Sequence, residues 1–339
     1  HVDGAADRYD LKTLREKFRA LPWDELECGP KDYFERYLGR KFEASAPGET
    51  RVLRLEFTEE KLLRAAVKYS AAIAHTARMG RRLESLFRGE EFDLEMSVDE
   101  TETPTSPLEH FFIASELRRL GVSVQGLALR FVGEFEKAVD YIGDVKRFEE
   151  ALRDHVLIAR ALGRYKLSVH SGSDKFSVYP ALGRLAGGLV HLKTAGTSYL
   201  EALRVVARHR PGLLREIITY CFGCFEGDRR TYHVSTELSA VPRPEGVKDE
   251  DLEKAYLDED HGRQLLHVTF GSILTAKRGD GTWLFRDRIR EVLIENEEDH
   301  YRTVAAHLER HITALGLKRL KEEQNVEGSI LSSIGRFRY

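Results

Sequence analysis

Cysteine is scarce in this chain, which excludes a disulfide scaffold. Cys28, Cys221 and Cys224 are the three thiols in 339 residues, too few for a full framework, so a reducing cytoplasm is the expected setting. No apolar run approaches the ~18 residues of a membrane span, and the acidic opening HVDGAADRYD has no signal-peptide core. A positive excess is missing too: the net charge is −3, with the two signs interleaved. That argues against nucleic acid held on a basic face. Glycine fingerprints are absent as well. No turn carries G-x-G-x-x-G and there is no P-loop, so no nicotinamide cofactor is expected. The chain opens on His1 without Met or an obvious first strand, and is expected to be a fragment or a processed piece.

What is present suits a folded enzyme. Hydrophobic residues make up 42% of the chain, enough for a buried core. Residues 1–57 read as a helical and loop segment, with Leu11, Leu14, Phe18 and Leu21 at helical spacing and a short strand at 51–57. Residues 42–50 read as a polar loop. Thr58 opens a long helix to Phe87. From Phe92 the pattern alternates: strands at 92–98, 124–132, 165–169 and 189–192, each followed by a helix. That alternation is the signature of a parallel sheet built from βαβ units. Tyr232–Thr236 and Leu265–Phe270 are two further strand candidates, and 285–315 is a long charged helix or helix pair. The expected division is 1–57, a catalytic region at 58–320, and a tail at 321–339.

Polar residues follow several successive strands: Asp99 and Glu100, Gly133 and Glu134, His170 to Asp174, then His191 to Thr194. Side chains from many strand ends meeting at one mouth is the barrel arrangement, so the expected fold is a (β/α)8 barrel, incomplete at its N-terminal end here.

His170 and His191 stand just past or at the ends of neighbouring strands, and neutral imidazole is the commonest metal ligand. With a carboxylate they suit Zn, Mn, Ni, Fe or Co, which the sequence does not distinguish. The bland alternative is a hydrogen-bonded interior histidine. Asp99 and Glu100, in VDETETPTSP, offer a general acid or base; against that, the loop also reads as an acidic linker with Thr105 or Ser106 capping the next helix. Lys175 and Lys193 suit an anionic substrate group, and Ser171, Gly172 and Ser173 present hydroxyls and N–H groups near a helix start. Cys221 and Cys224 form a lone C-x-x-C, read as structural. His300, His307 and His311 read as a solvated helix face.

The segments MSVDETETPTSPLEH, KLSVHSGSDKFSVYP, LVHLKTAGTSYLEAL and LLHVTFGSIL together resemble the tagaturonate/fructuronate epimerase family, over roughly Thr58 to Leu315. The resemblance implies a metal-dependent (β/α) barrel that interconverts D-tagaturonate and D-fructuronate at C4, with fructose and tagatose as related ketoses. It implies Glu100 as catalytic carboxylate, His170 and His191 as metal ligands, and Ser171, Ser173, Asp174 and Lys175 as substrate contacts, to which the chemistry of Lys193 adds a further expected contact. Further strands and metal-site residues are expected upstream in that family. C4 lies β to the C2 carbonyl, so retro-aldol cleavage and re-addition is the expected route. A class II-like aldolase, a ketose isomerase or an inactive barrel fragment are the alternatives. The implied partner is a small sugar acid or ketose; homo-oligomerisation stays open.

Overall fold

The computed structural model describes residues 2–45, 50–163 and 165–316; the expected tail at 321–339 lies outside them. Near the N-terminus, α1 (Leu11–Arg19) is capped by Asp10, whose carboxylate accepts the Thr13 N–H at 2.8 Å, and it buries Leu14 and Phe18. Helix α2 (Pro30–Tyr37) follows. Strands β1 (Lys41–Ala44) and β2 (Leu53–Glu56) pair antiparallel, so the expected loop at 42–50 begins as a strand. The Thr58 hydroxyl caps α3 (Glu59–Phe87) by accepting the Lys61 N–H at 3.3 Å. Phe18, Tyr33, Tyr37 and Phe57 share one core with the sheet described next.

That sheet is built from β3 (Glu95–Ser97), β4 (Gly126–Ala128), β5 (Lys166–Val169) and β6 (Val190–Leu192). Helices α4 (Pro107–Arg119), α5 (Val145–Leu162) and α6 (Tyr179–Ala186) form the crossovers. The order is β3-β4-β5-β6, all parallel and strictly sequential. It lacks the reversal that marks a doubly wound sheet. The expected closed eight-stranded barrel is not formed by the described residues: four parallel strands make an open sheet with edges at β3 and β6.

One reason lies further along. A second core gathers α7 (Ser198–His209), α8 (Pro211–Asp228), α9 (Asp260–Val268), α10 (Phe270–Thr275) and α11 (Arg286–Glu295). The segment 265–270, expected as a strand, lies within α9 and α10, and 232–236 is irregular. Leu265–Phe270 is a short apolar run whose period does not separate strand from buried helix. Helix α12 (Glu297–Ala314) follows, packed on α7 and α6. His307 and His311 face inward and are buried, against the solvated face expected for them. Cys221 is buried with its sulfur accepting from the Thr269 hydroxyl at 3.0 Å, and burial pushes its thiol up to about 12, so the C-x-x-C pair is structural. Among the described residues no helix is long and apolar enough to cross a membrane.

Two polar contacts cross the sheet's apolar side. Lys68 of α3 is buried, with Nζ 2.7 Å from Asp7, 2.9 Å from the Thr103 hydroxyl and 3.2 Å from Glu109. A buried ammonium needs such partners, and these tie the N-terminal turn to the loop carrying Asp99 and Glu100. Between α4 and α5, His110 Nδ1 lies 3.0 Å from His155 Nδ1 and His110 Nε2 lies 2.6 Å from the Tyr165 hydroxyl. Burial lowers both imidazoles, His155 to about 4.

The unfolded chain binds protons at these histidines near 6.5 while the folded chain does not. Stability contributed by the neutral pair is therefore full above pH 6.5 and is lost as pH falls toward about 4. At about 1.4 kcal/mol per unit, His155 alone accounts for ~3 kcal/mol. Thermal midpoints measured from pH 7.5 to about 5 should fall, and His155→Gln should flatten the slope. Equal slopes in parent and variant would refute this.

Candidate active site

The sheet has two unlike faces. Met96, Val98, Leu127, Leu129, Leu167 and Val169 are buried on the helix-covered side. The alternate residues Glu95, Ser97, Ser168, His170 and His191 lie on the other, as period-2 geometry requires. In register, Ser97, Ala128, Ser168 and His191 form one row across the strands.

Glu95 spans that row. Its carboxylate accepts from the Ser168 hydroxyl, from His170 Nε2 at 2.7 Å and from His191 Nδ1 at 2.9 Å. To get there it passes over β4, where the residue is Gly126. A Cβ at 126 would stand 3.0 Å from Glu95 Oε2, closer than ordinary packing allows. The small residue is what lets a β3 carboxylate reach β5 and β6.

On its other side, His170 Nδ1 meets Asp99 Oδ1 at 3.2 Å, and Ser97 donates to the same Asp99 oxygen. Lys193 Nζ stands 3.4 Å from His170 Nε2. The hydrogen bond to Asp99, opposed by burial and aided by Glu95, holds the His170 imidazole above its ordinary value. Burial pushes the Glu95 and Asp99 carboxyls up. Hydrogen bonds outweigh it in both, from Ser168, His170 and His191 to Glu95 and from His170 and Ser97 to Asp99, so both stay below the usual range.

The donor set fits a divalent cation. Two imidazole nitrogens flank one carboxylate, and the far nitrogen of His170 is oriented by Asp99, the outer contact that metal-ligating histidines make. A second group lies behind this face. Ligand atoms of buried Asp174, His307 and His311 all fall within 4.8 Å of one another.

A model of the UxaE family, described as tagaturonate epimerase, matches residues 1–315. The chain belongs to that family. It is 48% identical over 315 residues to the tagaturonate/fructuronate epimerase of Thermotoga maritima, covering 93% of this chain and 62% of that protein. Crystal structures of the fructuronate-tagaturonate epimerase UxaE from Cohnella laeviribosi, native and with two glycerols, superpose with TM-scores of 0.84 and 0.85. They are 39% identical and cover 94% of this chain and 62% of theirs. The chain thus spans about three fifths of the length of these relatives.

Within this family member, the expected site residues divide into two sets. His170, His191, Lys193 and Asp99 come together around Glu95. Glu100 is exposed, beside Asp99 but off the imidazoles. Ser171 sits in the same loop with φ +49°. Ser173, Asp174 and Lys175 point the other way and are buried. Ser173 donates to the Thr194 carbonyl at 2.9 Å, joining the two loops. Lys175 donates to the carbonyls of Glu136, Val139 and Ser173, and burial pushes its amine down to about 8. Asp174 pairs with Arg263. A buried ammonium with three carbonyl acceptors holds a loop together; it is not placed to grip a substrate.

Four residues at or beside this site escaped the sequence. Glu95 and Ser168 were legible as the polar members of strict alternations, Glu95-Met96-Ser97 and Leu167-Ser168-Val169. Lys137 gave no signal. Burial lowers its amine, with the charges of Asp99 and Glu100 opposing and that of Lys193 reinforcing. His267 on α9 abuts Gly196 of the KTAG loop, since a Cβ at 196 would lie 3.0 Å from its ring. Burial pushes His267 down to about 4, and its Nδ1 is buried without a hydrogen-bond partner.

Gly126→Val is expected to push Glu95 off Ser168 and both imidazoles while leaving the thermal midpoint close to the parent's. Ring-nitrogen NMR shifts of His170 and His191 should move together. Unchanged shifts in a folded variant would show that Glu95 does not depend on the gap over β4.

Proposed function

We propose that this chain forms the metal- and substrate-holding part of a C4 epimerase that interconverts D-tagaturonate and D-fructuronate, with fructose and tagatose as neutral counterparts. In this proposal its four strands are consecutive staves of a (β/α) barrel. The observation that carries it is the single Glu95 carboxylate between His170 Nε2 and His191 Nδ1, at 2.7 and 2.9 Å. The names of the family and of its relatives support the choice of substrate.

C4 is β to the C2 ketone, so its hydrogen is not acidic by simple enolisation. Breaking the C3–C4 bond solves this. The C4 hydroxyl gives up its proton, C4 becomes an aldehyde, and the bonding pair passes into a C2–C3 enediolate. Rotation of the aldehyde fragment and re-addition invert C4, and the proton returns. Glu95 and Asp99 are occupied by imidazoles, which leaves Glu100 as the carboxylate free to shuttle that proton. Lys193 and Lys137 are positioned to hold the C6 carboxylate, in place of Lys175, whose amine is spent on carbonyls. Ser171 offers a hydroxyl on the same loop. His170, His191 and Glu95 would hold a divalent metal, which when bound supplies Lewis-acid stabilisation of charge on the C2 and C3 oxygens.

Equilibrium dialysis and an epimerase assay test this. His170→Ala and His191→Ala should each lose most of the divalent metal bound at this site and most tagaturonate turnover. Glu100→Gln should keep the metal and lose ~10²–10⁴-fold in rate. Labelled three-carbon aldehyde acid should cross over into product if fragments exchange. Full metal retention in both histidine variants, or undiminished turnover in Glu100→Gln, would remove those roles.

A further inference from the structure

The cluster behind the sheet loop has a geometry the epimerase chemistry does not use. His307 and His311 stand one turn apart on α12, and Asp174 reaches them from the loop after β5. Asp174 Oδ1 lies 3.4 Å from His311 Nε2 and 3.8 Å from His307 Nε2. Two ligands ~2.0–2.1 Å from zinc at a tetrahedral angle stand ~3.3–3.4 Å apart. The remote ring nitrogens are already engaged: His311 Nδ1 donates to the His307 carbonyl at 2.8 Å, and His307 Nδ1 faces Glu201 Oε1 at 3.6 Å. The first is the outer contact that aims Nε2 of a histidine at a metal; the second is an ionic neighbour beyond hydrogen-bond distance. Arg263 holds the other oxygen of Asp174, and the Thr197 hydroxyl lies 2.9 Å from His307 Nε2 as a further oxygen donor. His307 also lines a surface cleft in which Glu201, Asp258 and Asp299 stand among Arg204, Arg208, Arg302 and Arg310, so the cluster is reached from solvent through paired charges.

We propose that Asp174, His307 and His311 form a second, structural site for a zinc-class divalent metal, joining α12 to the loop that carries His170. On metal uptake the 3.1 Å contact from the Asp174 N–H to His311 Nε2 is exchanged for a metal bond. Asp174 holds a left-handed φ of +59° and Ser171 one of +49°. Such backbone is held only by strong surrounding contacts, and a metal supplies one. The site stands whether or not the sheet face binds its own metal.

The test uses the full chain with its front site disabled. His170→Ala/His191→Ala protein, dialysed against zinc and then metal-free buffer, should retain one zinc per chain by elemental analysis. Adding His307→Gln/His311→Gln should remove it. If that variant unfolds, cobalt in the double variant decides: nitrogen-ligated, four-coordinate visible bands support the site. A double variant without zinc, zinc that survives loss of both α12 histidines, or a cobalt spectrum of solvated ion alone would each overturn it.

Discussion

One carboxylate crossing a strand organises the polar face. Glu95 starts on β3 and ends between side chains of β5 and β6, passing over β4 where Gly126 leaves room and a Cβ would stand 3.0 Å from its Oε2. Parallel strands stand about 4.8 Å apart, so the carboxylate meets β5 and β6 only because the Ser168, His170 and His191 side chains reach back toward it. Three hydrogen bonds then offset the desolvation of its charge. His170, pinned by Glu95 and Asp99, is thereby fixed at both ring nitrogens.

A site this constrained needs a rigid loop beneath it. The segment 170–175 bends sharply, with two non-glycine residues at positive φ. Its underside carries the compensation. Ser173 ties it to the next loop, Lys175 gathers three carbonyls, Asp174 meets Arg263 from α9, and the Asp174 N–H meets His311 from α12. The loop is thus built from both cores: the sheet positions its front and the helical second core holds its back. Holding the loop's shape and facing the open side of the sheet are separate tasks: Ser173, Asp174 and Lys175 do the first and His170 the second.

That division explains what the sequence could and could not reveal. The βα alternation from Phe92 to His209 was legible because strand and helix periods differ and Ser106, Asp144 and Thr58 are clear caps. Histidines 170 and 191 were legible as chemistry at neighbouring strand ends. Direction within the loop was not: composition placed Ser171, Ser173, Asp174 and Lys175 on one side, whereas positive φ at 171 and 174 turns the last three inward. Leu265 to Phe270 misled because a six-residue apolar run fits a strand or a buried helix equally. Charge along α12 masked His307 and His311, whose burial depends on α7 and α6 rather than on local pattern.

The balance of charge on the open face also bears on what it can hold. Glu95, Asp99 and Glu100 stand against Lys193, Lys137 and the imidazole of His170. Glu95 and Asp99 converge on the imidazoles, Glu100 stands off them, and Lys193 Nζ comes within 3.4 Å of His170 Nε2. A cation among the carboxylates and imidazoles and an anionic group beside Lys193 would each find a complementary, partly desolvated field. A metal-chelated keto group joined by a short chain to a carboxylate has that same polarity.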